Sequence, residues 1–255
     1  MKDWLLRFTG VIGLDLKTVL GLQNIGRFFS ERRQFLRMGG EVRRSYPILS
    51  DYSDWAGSMK GHYFHQDLYV AQKVFESGTK RHVDVGSSIS GFVSHIASFM
   101  PIEILDIRPT PSRIKNISFT QQDVMARLTI RTGSLSCLHT LEHFGLGRYG
   151  DPIDPIGHLK GFQNLVEAVE PNGIFYLSFP ISSNERVEFN AHRVFHPLSP
   201  LSWPGAESLV LHDFAFVDDS GDFFPDSNVE EAVARNLHYG CGIYTFKKTI
   251  QKEFS

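Results

Sequence analysis

Residues His82–Pro109 read HVDVGSSISGFVSHIASFMPIEILDIRP, and this stretch decides the fold. It predicts an apolar strand, a Gly/Ser turn, a helix that starts near residue 90, and a second strand that ends on Asp106. Gly86 allows the sharp turn, and the positive end of the helix points at a ligand. A carboxylate about 20 residues beyond Asp84 is placed to hold ribose hydroxyls. The stretch therefore predicts half of a nucleotide-type binding site.

Apolar runs elsewhere predict a doubly wound α/β fold, with a mostly parallel seven-stranded sheet and helices on both faces. The strands are expected at residues 81–85, 102–106, 117–119, 134–139, 173–179, 209–217 and 241–247. Helices are expected between the first five strands, the clearest at 156–169 and ended by Pro171-Asn172-Gly173, and also at 66–77 and 228–235. Right-handed crossovers make the first five strands parallel, with sites at their carboxyl ends.

Residues 1–45 are interpreted as an N-terminal helical extension, and residues 46–255 as the α/β domain. The extension is basic, because residues 1–44 hold nine Lys and Arg against four Asp and Glu. An apolar stripe with helical spacing ends at Gly39-Gly40 and comprises Ile25, Phe28, Phe29, Arg32, Phe35 and Leu36. Such a helix can pack on the core domain or on a second copy of the chain in a homodimer. It can also bind a protein or an anionic membrane surface.

Composition excludes several classes of protein. The 255 residues are 42% hydrophobic with a formal net charge of -2, which fits neither a disordered or collagen-like chain nor a protein that binds nucleic acid through overall positive charge. Cys137 and Cys241 lie in separate apolar runs, which favours reduced thiols. Asp15 and Lys17 interrupt the apolar stretch 11–22, so that neither a secretory signal nor a membrane span is expected. We expect a cytoplasmic protein, peripheral to the inner face of the membrane if the basic extension binds lipid.

The turn differs from the dinucleotide pattern G-x-G-x-x-G at its second glycine, where Ser88 stands between Gly86 and Gly91. That glycine lets the backbone approach a pyrophosphate, which a side chain obstructs. S-Adenosylmethionine has no pyrophosphate and presents an amino-acid tail to such a turn, so that a serine is tolerated. The alternative at this point is a strand–turn–helix unit that holds no ligand.

Three further features lie at predicted strand ends. Asp123 follows the third strand, where its carboxylate can accept from an adenine amino group and Val124 can supply backbone contacts. A helix cap is the other interpretation of this aspartate. The fourth strand leads into Thr140-Leu141-Glu142-His143, which brings a carboxylate and an imidazole to the same edge of the sheet. The fifth strand ends at Phe179-Pro180.

These motifs resemble the class I S-adenosylmethionine-dependent methyltransferases, which have a Rossmann-like fold. DVGSSISG resembles their glycine-rich first motif, Asp106 their ribose acid, Asp123 their adenine contact and LEH their fourth-strand motif. More narrowly, GHYFHQD, HVDVGSSISG, LEHFGLGRYGDPIDPIGH and FNAHRVFHP resemble an uncharacterised family, domain of unknown function 268. Its bacterial members accompany surface-polysaccharide synthesis genes. The resemblance implies S-adenosylmethionine as the cofactor, held by Asp84, Gly86, Ser87, Ser88, Asp106, Ile107, Asp123, Val124 and Glu142.

The resemblance also implies methyl transfer to a hydroxyl of a sugar or nucleotide-sugar acceptor. His143 is the first choice as general base, because histidine titrates near neutral pH, and Asp151 and His192 are the other catalytic candidates. The candidates for binding the acceptor are Arg148, Tyr149, His192 and Arg193. Asp151, Asp154 and His158 could alternatively ligate a divalent ion. Asp before Pro is common turn chemistry, however, and no metal site is assigned.

Two other function classes remain open from the sequence. A nicotinamide-dependent sugar oxidoreductase or epimerase would suit the sheet, but Ser88 and the absence of a Tyr-x-x-x-Lys pair argue against it. A catalytically silent methyltransferase-like scaffold would fit the altered turn and the basic N-terminal helix. No nucleic-acid partner is expected in any of these interpretations.

Overall fold

A computed structural model describes residues 21–53, 59–110 and 113–250 of the chain. It divides the chain into two compact units, Met1–Ser58 and Met59–Ser255. The predicted N-terminal helical segment before residue 21 lies outside the described residues. Among the helices of the described ranges, none has the length and hydropathy needed to cross a bilayer.

The first unit contains helix α1, Ile25–Arg37, which follows one turn of 3-10 helix at Leu22–Asn24. A second 3-10 turn lies at Asp51–Ser53. The chain turns away from α1 through Gly39, whose φ of 88° suits glycine and agrees with the predicted stop. The predicted apolar stripe is present but largely open to solvent, since Phe29 is 57% exposed.

The second unit is built on a central sheet flanked by helices. Its strands are β1 (His82–Val85), β2 (Ile102–Asp106), β3 (Ile117–Gln121), β4 (Thr132–Leu138), β5 (Val169–Ile181), β8 (Leu209–Val217), β9 (Phe223–Ser227) and β10 (Gly240–Lys248). The order is β3-β2-β1-β4-β5-β10-β8-β9. β6 (Arg186–Glu188) and β7 (His192–Val194) form a separate antiparallel ribbon.

The parallel part of the sheet is as predicted, because β1 pairs with β2 and β4, β2 with β3, and β4 with β5, all in parallel. The far part is antiparallel, since β10 lies between β5 and β8 and runs opposite to both. The sheet has eight strands rather than the predicted seven. The extra strand is β9, in a segment where the sequence analysis predicted no strand. Phe224 of β9 stacks on Phe216 of β8 with ring centroids 4.8 Å apart, a contact across this pair of strands.

The helices of this unit are α2 (His62–Glu76), α3 (Ser94–Ala97), α4 (Gly157–Ala168) and α5 (Val229–Ala234). A π-helical turn at Ile89–Val93 precedes α3. The prediction of helices between the first five strands is wrong for two connections: the described residues between β2 and β3, and between β3 and β4, contain none. Pro109 and Pro111 oppose a helix in the first of these.

The predicted stop after α4 is confirmed, but the predicted turn is not a separate loop. Pro171-Asn172-Gly173 lies inside β5, as an irregularity where the pairing register with β4 shifts. Asn172 has a φ of 63°, which absorbs the local bend. A turn signal in the sequence therefore marks a distortion of a long strand here.

Two apolar cores cover the two faces of the sheet, as a doubly wound fold requires. One core packs Phe162 and Leu165 of α4 against Phe175 of β5 and includes Trp203. The other packs Val70 and Val74 of α2, together with residues around α3, against the opposite face. The helices thus fix the sheet from both sides and leave the carboxyl ends of β1, β2 and β4 open.

Truncation of Phe162 tests this packing. Its side chain is fully buried and packs against Trp203, with ring centroids 5.2 Å apart. We expect Phe162→Ala to lower the free energy of unfolding by about 3–5 kcal/mol, measured by urea denaturation. Phe75→Ala is the matched control, because Phe75 also lies on a helix but is 66% exposed. Its change should stay within about 1 kcal/mol; equal losses in both variants would contradict the core assignment.

Candidate functional site

Two adjoining cavities open at the carboxyl ends of the parallel strands. The first, called the strand-end pocket, is lined by Gly86, Leu105, Asp106, Ile107, Arg108, Gln122, Asp123, Val124, Met125, Thr140, Phe144 and Asp151, with His139, His143 and Tyr149 at its border. The second, called the histidine cleft, has a volume of about 760 Å³ and is lined by His62, Tyr63, Asp67, Ser88, Ser90, His139, Glu142, His143, Arg148, Tyr149, His192 and Tyr239. A volume of this size suits a small polar molecule.

Asp84 is a buried carboxylate beneath the glycine-rich turn. It accepts hydrogen bonds from the Ser87 backbone N–H at 3.0 Å and the Ser87 hydroxyl at 2.6 Å, and from the Ser136 hydroxyl of β4. Burial raises the pKa of Asp84 to about 6, although these hydrogen bonds favour the charged form. Neither Asp84 nor Ser87 lines either cavity, so the prediction that they contact a cofactor directly is corrected: they shape the turn.

Gly86 is the glycine that the turn requires. Its φ is 67°, and a Cβ added there would lie 2.6 Å from the Thr140 side chain. The backbone of the turn therefore lies directly against the end of β4. Ser88, at the position where the dinucleotide pattern has glycine, is exposed and lines the histidine cleft, with its hydroxyl 3.3 Å from that of Ser90.

Asp106 and Ile107 line the strand-end pocket at the end of β2, where the sequence places them. The Asp106 carboxylate is already occupied by Arg108, whose backbone N–H donates at 2.8 Å and whose guanidinium donates at 3.0 and 2.6 Å. The same guanidinium lies 4.4 Å from the ring centroid of Tyr149. Arg108 is a site residue that the sequence analysis missed.

Asp123 and Val124 line the same pocket after β3. One Asp123 oxygen accepts from the Met125 backbone N–H at 2.9 Å, so the carboxylate caps a local turn. The Val124 carbonyl accepts from the Asn164 amide at 2.9 Å, which ties this loop to α4. The alternative interpretation as a helix cap is not met, because no helix follows Asp123 in the described residues; the carboxylate closes a turn and faces the pocket.

His143 ends a 3-10 turn, Leu141–His143, directly after β4. Its Nδ1 lies 2.7 Å from the Ala191 carbonyl, a geometry in which the ring N–H donates and Nε2 carries the lone pair. Nε2 is 3.9 Å from Oε1 of Glu142. Burial lowers the pKa of His143, so that its imidazole is neutral near pH 7. A neutral imidazole with its lone pair on Nε2 is chemically able to accept a proton.

Glu142 is 1% exposed and faces the histidine cleft. Its Oε1 lies 2.9 Å from Nδ1 of His139, and its Oε2 has no hydrogen-bond partner. His139 is the second residue that the sequence analysis missed. It follows β4 immediately, and its ring lies 5.4 Å from the ring of His62 and 4.9 Å from that of Tyr63.

The loop after His143 is held by Asp151. One carboxylate oxygen accepts from the backbone N–H groups of Gly145 and Gly147 at 2.8 and 3.2 Å, and the other from Tyr149 at 3.2 Å. Asp151 therefore shapes the loop and also lines the strand-end pocket; its catalytic role stays a prediction. Tyr149 and Arg148 do face the cleft, and Arg148 donates to the Ala191 carbonyl at 2.9 Å.

His192 and Arg193 differ in their surroundings. His192 lines the histidine cleft, with Nε2 3.5 Å from a Glu188 carboxylate oxygen. Arg193 is 4% exposed and donates to the carbonyls of Glu142, Phe144, Asp154 and Pro155. The prediction that Arg193 binds the acceptor is therefore wrong, because its guanidinium is used to hold the chain after β4.

Comparisons with known proteins agree with this fold. A family model described as Caenorhabditis protein of unknown function, DUF268, matches residues 94–202 and confirms the family resemblance. No curated protein sequence matches the chain.

Several solved structures similar to this chain are methyltransferases. The N-methyltransferase NodS from Bradyrhizobium japonicum WM9, in complex with S-adenosylhomocysteine, has a TM-score of 0.51 at 11% identity, covering 80% of this chain and 93% of NodS. The O-methyltransferase from a trans-AT PKS multienzyme of Brevibacillus brevis, also in complex with S-adenosylhomocysteine, has a TM-score of 0.51 at 13% identity and covers 72% of each chain. The [4+2]-cyclase SpnF has a TM-score of 0.50 at 13% identity, covering 91% of this chain and 95% of SpnF. The fold is therefore the methyltransferase-like Rossmann fold.

The contact between Gly86 and Thr140 gives a test of the turn. Gly78 is a matched control, because its φ of 69° equals that of Gly86 within a few degrees and an added Cβ there meets nothing within 4 Å. Both Gly→Ala variants carry the same backbone strain, but only Gly86→Ala also overpacks against Thr140. We expect Gly86→Ala to lose about 1–3 kcal/mol more unfolding free energy than Gly78→Ala. Indistinguishable urea midpoints would contradict the close packing of the turn on β4.

Proposed function

We propose that this protein is an S-adenosylmethionine-dependent methyltransferase that methylates a hydroxyl group of a sugar or nucleotide-sugar in surface-polysaccharide synthesis. One observation carries the proposal: a pocket with Gly86, Asp106 and Asp123 at the strand ends adjoins a polar cleft that holds His143. The fold shared with two methyltransferases in complex with S-adenosylhomocysteine supports the cofactor class. The polar lining of the cleft and the family resemblance support the acceptor class.

The residues of the strand-end pocket fit the cofactor. Gly86 brings the backbone of the turn against Thr140 at the wall of the pocket, and the apolar side chains of Leu105 and Val124 offer surfaces for an adenine ring. The Asp106 carboxylate would accept from the ribose hydroxyls, which requires the exposed guanidinium of Arg108 to release it. When bound, S-adenosylmethionine supplies an electrophilic methyl group next to the histidine cleft.

His143 would remove the proton of the acceptor hydroxyl. Its Nδ1–H is held by the Ala191 carbonyl, which directs the Nε2 lone pair away from that backbone. When the ring takes up a proton, Glu142, 3.9 Å from Nε2, stabilises the imidazolium that forms. Much of the remaining catalysis in methyl transfer is positioning of the acceptor.

Three side chains of the histidine cleft suit a polar acceptor. Arg148 is exposed and fixed at one nitrogen by the Ala191 carbonyl, so that its other N–H groups can bind a phosphate of a nucleotide-sugar. The rings of Tyr63 and Tyr239 are also exposed and offer flat apolar faces to a sugar.

The cofactor assignment is tested by calorimetry with S-adenosylmethionine, S-adenosylhomocysteine and NAD(H). We expect the two sulfur compounds to bind and NAD(H) not to bind. Asp106→Asn should weaken S-adenosylhomocysteine about 10- to 100-fold, because it removes a charged hydrogen-bond acceptor. Asp222→Asn, at an exposed site outside both cavities, is the control and should bind normally. Binding of NAD(H) alone would favour an oxidoreductase or epimerase, and binding of none of the three would favour a silent scaffold.

The role of His143 is tested by turnover, measured as S-adenosylhomocysteine release with a panel of nucleotide-sugars. His143→Ala should keep cofactor affinity and lose about 10²- to 10⁴-fold in kcat. His95→Ala, on the exposed side of α3, is the control. Since burial lowers the pKa of His143, the base stays unprotonated below the usual value. The acidic limb of the kcat/KM profile, which reports groups of the free enzyme, should therefore lie below about pH 6.5. Full activity of His143→Ala would remove this residue from the mechanism.

A further inference from the structure

Two histidines and a cysteine meet at the base of the histidine cleft. His62 is the first residue of α2, His139 follows β4, and Cys241 lies in β10. The nitrogen and sulfur atoms that these residues offer all lie within 4.8 Å of one another. In a loaded tetrahedral zinc site, with Zn–N near 2.0 Å and Zn–S near 2.3 Å, the nitrogen and sulfur ligand atoms are about 3.3–3.5 Å apart. Small side-chain rotations would therefore close the cluster around an ion.

His139 supplies a second, independent observation. Its side chain is 5% exposed, and its buried Nε2 has no hydrogen-bond partner outside this cluster, where it faces the Cys241 thiol. Nδ1 is taken by Oε1 of Glu142 at 2.9 Å, which leaves Nε2 for the cluster. A carboxylate on one imidazole nitrogen fixes the tautomer in which the other nitrogen carries the lone pair, as is usual for metal-ligating histidines. A buried nitrogen of this kind calls for a partner.

Cys241 is fully buried, yet its thiol has only long contacts. Sγ lies 4.0 Å from Oε1 of Gln66 and 3.8 Å from the Gly242 carbonyl. Gln66 itself is engaged by the hydroxyl of Ser178, and its amide donates to Asp67 at 2.9 Å. The thiol is therefore close to the two imidazoles and is not committed to a strong hydrogen bond elsewhere.

We propose that His62, His139 and Cys241 bind a divalent ion of the zinc class. Two imidazoles and a thiolate are the donors that zinc prefers, whereas magnesium and calcium require oxygen ligands. Three protein ligands leave a fourth position, and His62 and His139 both line the histidine cleft. Sites with three protein ligands and an open position are of the catalytic type.

The open position suggests what the ion does for the acceptor. An oxygen ligand from the cleft, either water or the acceptor hydroxyl, would occupy it, and the ion would lower the pKa of that group. The hydroxyl proton then passes to Nε2 of His143, the oxygen forms a bond to the methyl carbon, and the carbon–sulfur electron pair stays on sulfur. This role rests on the proposed function, whereas metal binding does not.

The experiment is a titration of metal-free full-length protein with Co²⁺, followed by absorption spectroscopy. We expect one equivalent to give a thiolate-to-cobalt charge-transfer band together with the visible bands of a tetrahedral ion, and Zn²⁺ to displace it. Cys241→Ser should remove the charge-transfer band, with Cys137→Ser as the matched control at the other buried cysteine. Because a buried cysteine variant can fail to fold, the partly buried His62 gives the second test. His62→Ala should weaken binding about 100-fold, while His65→Ala on the same helix should not.

The outcomes separate this proposal from the proposed function. Absence of a charge-transfer band in the folded wild-type protein overturns the metal site, as does a band of unchanged affinity in His62→Ala. S-Adenosylhomocysteine calorimetry on the same metal-free preparation is an independent readout. A cobalt site without cofactor binding supports the ion and contradicts the methyltransferase. Cofactor binding without a cobalt site does the reverse.

Discussion

The site depends on one buried carboxylate. Asp84 ties the glycine-rich turn to β1 through Ser87 and ties β1 to β4 through Ser136. Since Ser136 donates to Asp84, its oxygen accepts from Nε2 of His82 at 2.9 Å, and Ser134 donates to Nδ1 of the same ring at 2.7 Å. Burial lowers the pKa of His82 to about 3, so that the ring is neutral. Each hydrogen bond from Ser134 through His82 and Ser136 to Asp84 then has one donor and one acceptor. Burial raises the pKa of Asp84, so that keeping this carboxylate ionised costs free energy. Its hydrogen bonds to Ser87 hold the turn in which Gly86 packs against Thr140.

The sequence predicts those parts of the fold that local patterns encode. β2 and β8 have the predicted bounds, and α4 differs from its prediction by a residue at each end. β9 is not predicted, because Phe-Phe-Pro-Asp-Ser shows no alternation of apolar and polar residues. The segment becomes a strand only through its pairing with β8. The antiparallel position of β10 between β5 and β8 is not predicted either, since the residues of a strand do not specify its neighbours in the sheet.

The site residues also divide into those that local sequence patterns reveal and those that only the tertiary structure brings together. Asp106 and Asp123 line the pocket as predicted, because the ends of parallel strands can be located from the sequence and meet at one edge of the sheet. Arg193 looks like a ligand for an anion in the sequence, but its partners are four carbonyls brought together only by the tertiary structure. No motif spacing links His62 to Cys241, because the two residues are far apart in the sequence, one in the first helix of the domain and the other in its last strand. Arg108 could have been found, since a basic side chain two residues beyond a strand-end carboxylate can fold back onto it.

Glu142 joins the two halves of the proposed chemistry. Its Oε1 lies 2.9 Å from His139 and 3.9 Å from His143, so that one carboxylate orients the histidine that would bind an ion and stabilises the histidine that would take a proton. The Arg193 guanidinium donates to the backbone carbonyl of Glu142 and holds this turn in place. An amide in place of this carboxylate would keep the size of the side chain but could not stabilise an imidazolium to the same extent. Both functions therefore depend on one carboxyl group at a position that is 1% exposed to solvent.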